Sequence, residues 1–167
     1  TGLPTTVGYE VSETGDDGFT TTDSGNLKGD IADTAAEVEF TNTRKTGAIA
    51  LSKAVVGTTD NTRDFTFKIT LTDTGINKTY SDVAFTDGIA EVKLKAGVSK
   101  TIEGLPTGVG YTIEETSMPA GYTKTAPKAD QVSGVVKTDV AESTFEFENT
   151  YAASGRSASH LQMKVSP

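Results

Sequence analysis

The chain repeats itself, and the repeat is incomplete. Gly2-Leu3-Pro4-Thr5-Thr6-Val7-Gly8-Tyr9 returns as Gly104-Leu105-Pro106-Thr107-Gly108-Val109-Gly110-Tyr111, identical at seven of eight positions. The match continues with Tyr9-Glu10-Val11-Ser12-Glu13 against Tyr111-Thr112-Ile113-Glu114-Glu115, and with Gly18-Phe19-Thr20-Thr21-Thr22 against Gly121-Tyr122-Thr123-Lys124-Thr125. It ends with Val38-Glu39-Phe40-Thr41-Asn42-Thr43 against Phe145-Glu146-Phe147-Glu148-Asn149-Thr150. Four blocks in one order make chance similarity a poor explanation, and a repeat decides the architecture before any single element is considered. Residues 46–103, however, have no counterpart ahead of the first copy. Residues 1–43 therefore read as the C-terminal portion of a truncated domain, and residues 46–151 as a complete domain of the same kind. Residues 152–167, small and polar over Ala152 to Ser159, read as a linker or flexible tail.

Composition narrows the fold class. There are 29 threonines against 7 leucines, and a side chain branched at its β-carbon is stiff in a helix and at ease in a strand. No apolar stripe of useful length recurs at helical spacing. Period-two alternation does recur: Ile49, Leu51, Lys53 and Val55 share one face, and Phe65, Phe67, Ile69 and Leu71 alternate with Thr66, Lys68 and Thr70. Val83 and Phe85 lead into an Asp87-Gly88 turn that returns through Ile89 to Leu94, a hairpin signal. Tyr111 to Glu115 and Phe145 to Asn149 are two more strands, and turn residues cluster at 57–61, 72–77 and 119–121. Seven or more short strands in about 100 residues predict an all-β sandwich.

The same numbers exclude function classes. Fifteen basic against 23 acidic residues leave a net charge of −8, a field that repels phosphate backbones and argues against nucleic acid. No apolar run is long enough to span a bilayer. With no cysteine and one histidine, disulfides, thiol nucleophiles and zinc sites built on Cys or several His are out. His160 lies in a Ser/Ala-rich stretch without the strand–turn–helix context of a hydrolase triad. The acidic turns at Asp16-Asp17-Gly18 and Asp60 to Asp64 do not follow calcium-loop spacing, so neither metal nor cofactor is expected.

Three polar residues break the inward alternation. Lys53 is in phase with Ile49, Leu51 and Val55; Glu115 with Tyr111 and Ile113; Asn149 with Phe145 and Phe147. Each side chain should point into the core, where an isolated ammonium, carboxylate or amide is expensive. Either the three satisfy one another there, or the strand ends carry them out to solvent. Meeting is the more economical arrangement.

Leu105-Pro106, Tyr111-x-Ile113-x-Glu115, Pro119-x-Gly121-Tyr122 and Phe147-x-Asn149-Thr150, in this order, resemble the CnaB-type immunoglobulin-like domains of Gram-positive surface proteins. Lys53-Ala54-Val55-Val56-Gly57 with Phe65-Thr66-Phe67 is similar to the opening of streptococcal backbone-pilin domains. The resemblance covers residues 46–151, and residues 2–43 as a truncated copy. It implies an immunoglobulin-like β-sandwich and a spontaneous intramolecular isopeptide bond. Lys53 would be the nucleophile, Asn149 the acceptor and Glu115 the proton shuttle; Glu114 falls on the opposite face. Burial favours an uncharged amine facing an uncharged carboxyl, the acid polarises the Asn amide, and folding supplies the proximity.

In the first copy the equivalent residues are Glu13 and Asn42, a second, incomplete site whose lysine would lie on a strand the first copy lacks. Lys164 is a poor substitute, being out of phase with Leu161, Met163 and Val165. The implied role is a structural module of a surface pilus or adhesin stalk, extracellular at the cell wall. Its partners would be neighbouring pilin subunits or adjacent domains. The alternative is a ligand-binding adhesive domain for a host protein or glycan. No enzyme activity beyond self-cross-linking is expected.

Overall fold

The structure, a computed structural model, describes residues 2–138 and 140–152; the residues singled out beyond them, His160 and Lys164, and nearly all of the expected tail lie outside the described residues. In chain order the strands are β1 (Gly8–Glu10), β2 (Phe19–Gly25), β3 (Lys28–Asp30), β4 (Val38–Arg44), β5 (Thr46–Val56), β6 (Phe65–Leu71), β7 (Thr79–Tyr80) and β8 (Val83–Ala84). They continue as β9 (Ile89–Leu94), β10 (Ser99–Pro106), β11 (Gly110–Ser117), β12 (Tyr122–Ala126), β13 (Gln131–Val135) and β14 (Thr144–Tyr151), with one 3-10 turn at Val140–Ser143 before the last strand.

Residues 46–151 form an immunoglobulin-like β-sandwich, the all-β fold expected from the alternation. One sheet has the order β10-β5-β14-β12 and the other β13-β11-β6-β9. All pairs within them are antiparallel except β5 with β14, the first and last strands, which run parallel side by side. The inward faces interdigitate as alternation dictates: Ile49 and Leu51 from β5, Phe65, Phe67 and Ile69 from β6, Tyr111 and Ile113 from β11, and Phe147 from β14 are all buried. Burying one such side chain contributes about 1.5–3 kcal/mol. The Phe67 and Phe147 rings meet across the gap at 4.9 Å between centroids.

The Asp87-Gly88 turn forms, with φ of 50° and 75° and a Thr86–Ile89 bridge, but it does not close a long hairpin. The segment before it pairs briefly with β7, and β9 lies along β6. Pairing with β6 lets Ala90, Val92 and Leu94 enter the core, which a hairpin to the two-residue β8 does not.

Residues 2–44 carry two short ladders, β1 with β3 and β2 with β4. These repeat the pairings of β11 with β13 and, as far as Asn42 and Asn149, of β12 with β14; beyond that point β12 carries a bulge between Lys124 and Ala126 that β2 lacks. Tyr9 faces Gly29 as Tyr111 faces Gly134; Thr21 faces Asn42 as Lys124 faces Asn149. Even the backbone signs recur, with positive φ at Gly2 and Thr6 and again at Gly104 and Gly108. No neighbour equivalent to β5 lies beside β4, and none equivalent to β6 lies beside β1, among the described residues.

Candidate functional site

Strand phase brings all three out-of-pattern residues into one place. Lys53 arrives on β5 and Asn149 on β14, adjacent strands of one sheet, while Glu115 comes from β11 in the sheet opposite. The parallel register sets Lys53 opposite Phe147 and Asn149 opposite Val55. The Lys53 and Glu115 side chains have no solvent exposure, and Asn149 has none either. Glu114, one residue earlier, is exposed on the outer face opposite Lys68.

Glu115 Oε1 is the hub. It accepts a hydrogen bond from Asn149 Nδ2 at 2.8 Å, and Lys53 Nζ lies 3.5 Å from the same oxygen. Lys53 Nζ also donates to the Phe147 carbonyl at 3.3 Å and sits 4.6 Å above the centre of the Phe65 ring. The Met118 sulfur accepts a weak contact from Asn149 Nδ2 at 3.8 Å. Among the described residues, Glu115 Oε2 and Asn149 Oδ1 have no hydrogen-bond partner, a cost of about 1–3 kcal/mol each for groups sealed from water.

Electrostatics favour a reactive amine. Burial pushes Lys53 below the ordinary lysine value of 10.5, because the ammonium loses its hydration; the Glu115 carboxylate pulls the other way without cancelling the effect. An amine whose charged form burial disfavours and an amide, both held at one carboxyl oxygen, are the components of a condensation. Glu115 holds the amide nitrogen of Asn149 rather than its carbonyl oxygen.

Phe65, Met118 and the Phe147 carbonyl were not legible as parts of the site. Phe65 and Phe147 showed only as in-phase core residues, and what faces Lys53 depends on the sheet-to-sheet stacking. The first-copy pair is also assembled. Asn42 Nδ2 donates to Glu13 Oε1 at 2.6 Å, as in the complete domain, and Thr21 Oγ1 donates to Asn42 Oδ1 at 2.6 Å. That pair is exposed.

Over 117 residues the chain is 36% identical to the pilus tip adhesin Cpa of Streptococcus pyogenes, covering 62% of this chain but only 17% of that protein. A solved structure of the pilus-presented adhesin Cpa superposes with a TM-score of 0.53 at 34% identity, over 64% of this chain and 27% of that one. A cysteine-to-alanine variant of the same adhesin gives 0.54 at 32% identity, over 65% and 28%. The fold is thus that of the immunoglobulin-like domains of a streptococcal pilus adhesin. The chain belongs to the family described as a domain of unknown function (DUF7601), whose model matches residues 47–151.

Proposed function

We propose that the chain is a structural module of a Gram-positive surface pilus or adhesin stalk, stabilised by an autocatalytic isopeptide bond between Lys53 and Asn149 of a CnaB-type domain. One observation carries the reading: amine, carboxyl and amide, each costly to bury alone, are sealed together with Glu115 Oε1 touching both partners. The reaction needs one proton to pass from the Lys53 ammonium to the neighbouring Glu115 carboxylate. With that proton on Glu115, the Lys53 amine attacks Asn149 Cγ. Glu115 takes a proton from the attacking nitrogen and passes one to Nδ2. The Cγ–Nδ2 bond breaks, ammonia leaves, and Glu115 ends in the protonation state in which it began. The domain acts once, on itself, and turns over no external substrate. Folding supplies the effective concentration that an enzyme would otherwise provide.

The similarity to a pilus tip adhesin supports an exported, cell-surface setting, with neighbouring pilin subunits or adjacent domains as partners. The relative's name also supports an adhesive setting for the parent protein. Intact-mass measurement tests the cross-link. The parent chain should be lighter than its sequence by one ammonia, and Lys53→Arg and Asn149→Ala should show their full masses. A full-mass parent chain ends the reading.

A further inference from the structure

We propose that Met118 is the plug of the cross-linking site, the side chain that keeps water away from Lys53, Glu115 and Asn149 while they react. The proposal deepens the reading of Lys53 and Asn149 as cross-linking partners and rests on it.

The first observation is where Met118 sits. Its sulfur lies 3.8 Å from Asn149 Nδ2, so the side chain reaches the reacting amide. The side chains of Lys53 and Glu115 have no solvent exposure, and Asn149 has none. Phe65, whose ring lies against Lys53 Nζ, and Phe147, whose carbonyl accepts from it, are buried as well. Met118 alone among these neighbours is half-buried. It spans from the surface to the site.

The second observation is how the chain puts it there. Alternation along β11 turns Tyr111, Ile113 and Glu115 inward, which would make Ser117 the next inward residue and Met118 an outward one. A bulge intervenes. Glu115 faces Phe67 and Ser117 faces Thr66, the next residue of β6, so Thr116 is the extra residue on β11. Thr116 Oγ1 fastens the bulge by donating to the Thr66 carbonyl at 3.3 Å. A slip of one residue exchanges the two faces: Ser117 is exposed, and Met118 packs against the core. Pro119 follows and confines the Met118 backbone to extended conformations. An unbranched thioether suits the place. It fills an irregular gap with apolar atoms, and its sulfur is too weak an acceptor to draw the amide away from Glu115.

The consequence is chemical. The charged groups that face Lys53 are Glu115 on β11, Glu148 on β14 and Lys124 on β12, and burial is the largest influence, holding the lysine below its ordinary 10.5. Shortening Met118 leaves all three charges in place and removes the barrier to water. The hydrated ammonium is then favoured, and less of the attacking amine is present at neutral pH. The bonds are unchanged: Nζ–Cγ forms, Asn149 Cγ–Nδ2 breaks, and ammonia leaves.

The test follows ammonia loss by intact mass, across a pH series, in chains recovered unreacted in denaturant and refolded by dilution. Met118→Leu, apolar and of similar volume, should keep the parent's pH dependence. Met118→Ala should move that dependence upward toward 10.5. At neutral pH it should react roughly tenfold more slowly, the change in amine fraction for a lysine value one pH unit higher. Met118→Val, whose side chain ends one atom before the sulfur, should shift the same way and carries the test if the alanine chain does not refold. A shortened variant with the parent's pH dependence, or a leucine chain that shifts as far as the alanine chain, overturns the proposal and leaves the cross-link standing. A parent chain at full mass ends the Lys53–Asn149 reading, and the plug with it.

Discussion

Glu114 and Glu115 are consecutive in β11, yet Glu114 faces water opposite Lys68 while Glu115 is sealed between the sheets against Lys53 and Asn149. Strand parity alone separates them. Glu115→Ala should give a folded domain at full mass, and Glu114→Ala should still lose one ammonia. A cross-link closing a loop of roughly 100 residues is worth about 4–5 kcal/mol in the chain-entropy picture. The Glu115 variant should therefore unfold at clearly lower denaturant, and Glu114→Ala should stay close to the parent. The reverse pattern would show that the phase of β11 is misassigned.

Lys53 also gives a signed pH dependence. In Asn149→Ala, which has no acceptor amide, the lysine stays free. Its folded value lies below the ordinary 10.5 because burial strips the ammonium of water. Between the two values the unfolded chain binds the extra proton, so stability should rise with pH across that window. The rate of ammonia loss by freshly refolded parent chain should rise over the same range, as more Lys53 becomes amine. Urea titrations of the variant, showing stability flat or falling with pH as 10.5 is approached, would contradict the assignment.

Gly134 and Gly29 offer a matched pair of substitutions. A methyl group on Gly134 would stand 2.5 Å from the hydroxyl of Tyr111, which is buried and has little room to retreat. On Gly29 it would stand 3.2 Å from the hydroxyl of the more open Tyr9. Gly134→Ala should cost about 1–3 kcal/mol, the usual range for overpacking, whereas Gly29→Ala should be near neutral in thermal unfolding. Equal effects would mean that the two tyrosines are equally confined.

Amide exchange should divide the chain. None of the described residues from 2 to 44 is fully buried, whereas Phe67 and Phe147 have no exposure. Ladders of this length without a covered face open readily. Amides around Val11 and Phe40 should exchange much faster than those around Phe67 and Phe147. Equal protection would show that residues 2–44 are stable without a complementing strand.

What could be read in advance followed from local pattern. Lys53, Glu115 and Asn149 were visible because each sits in an otherwise apolar phase, and phase survives folding. β5, β6, β9, β11 and β14 were legible for the same reason. β10 was not, because a bulge between Glu103 and Leu105 breaks its alternation. β12 and β13 are edge strands that bury little, so their sequences carry no stripe. The parallel union of β5 and β14 has no sequence signal: it joins segments more than ninety residues apart without a turn between them.

That union determines how the domain meets a pull along its chain. The polypeptide enters the sandwich at the start of β5 and leaves at the end of β14, and because the two strands run parallel these points lie at opposite ends of one ladder. Tension between residues 46 and 151 drags the strands past each other lengthwise, so their hydrogen bonds are loaded together in shear rather than peeled one by one. With Lys53 joined to Asn149, the load crosses from one strand to the other through a covalent bond. Residues 54–148 then fall outside the line of force, and the domain becomes an inextensible link.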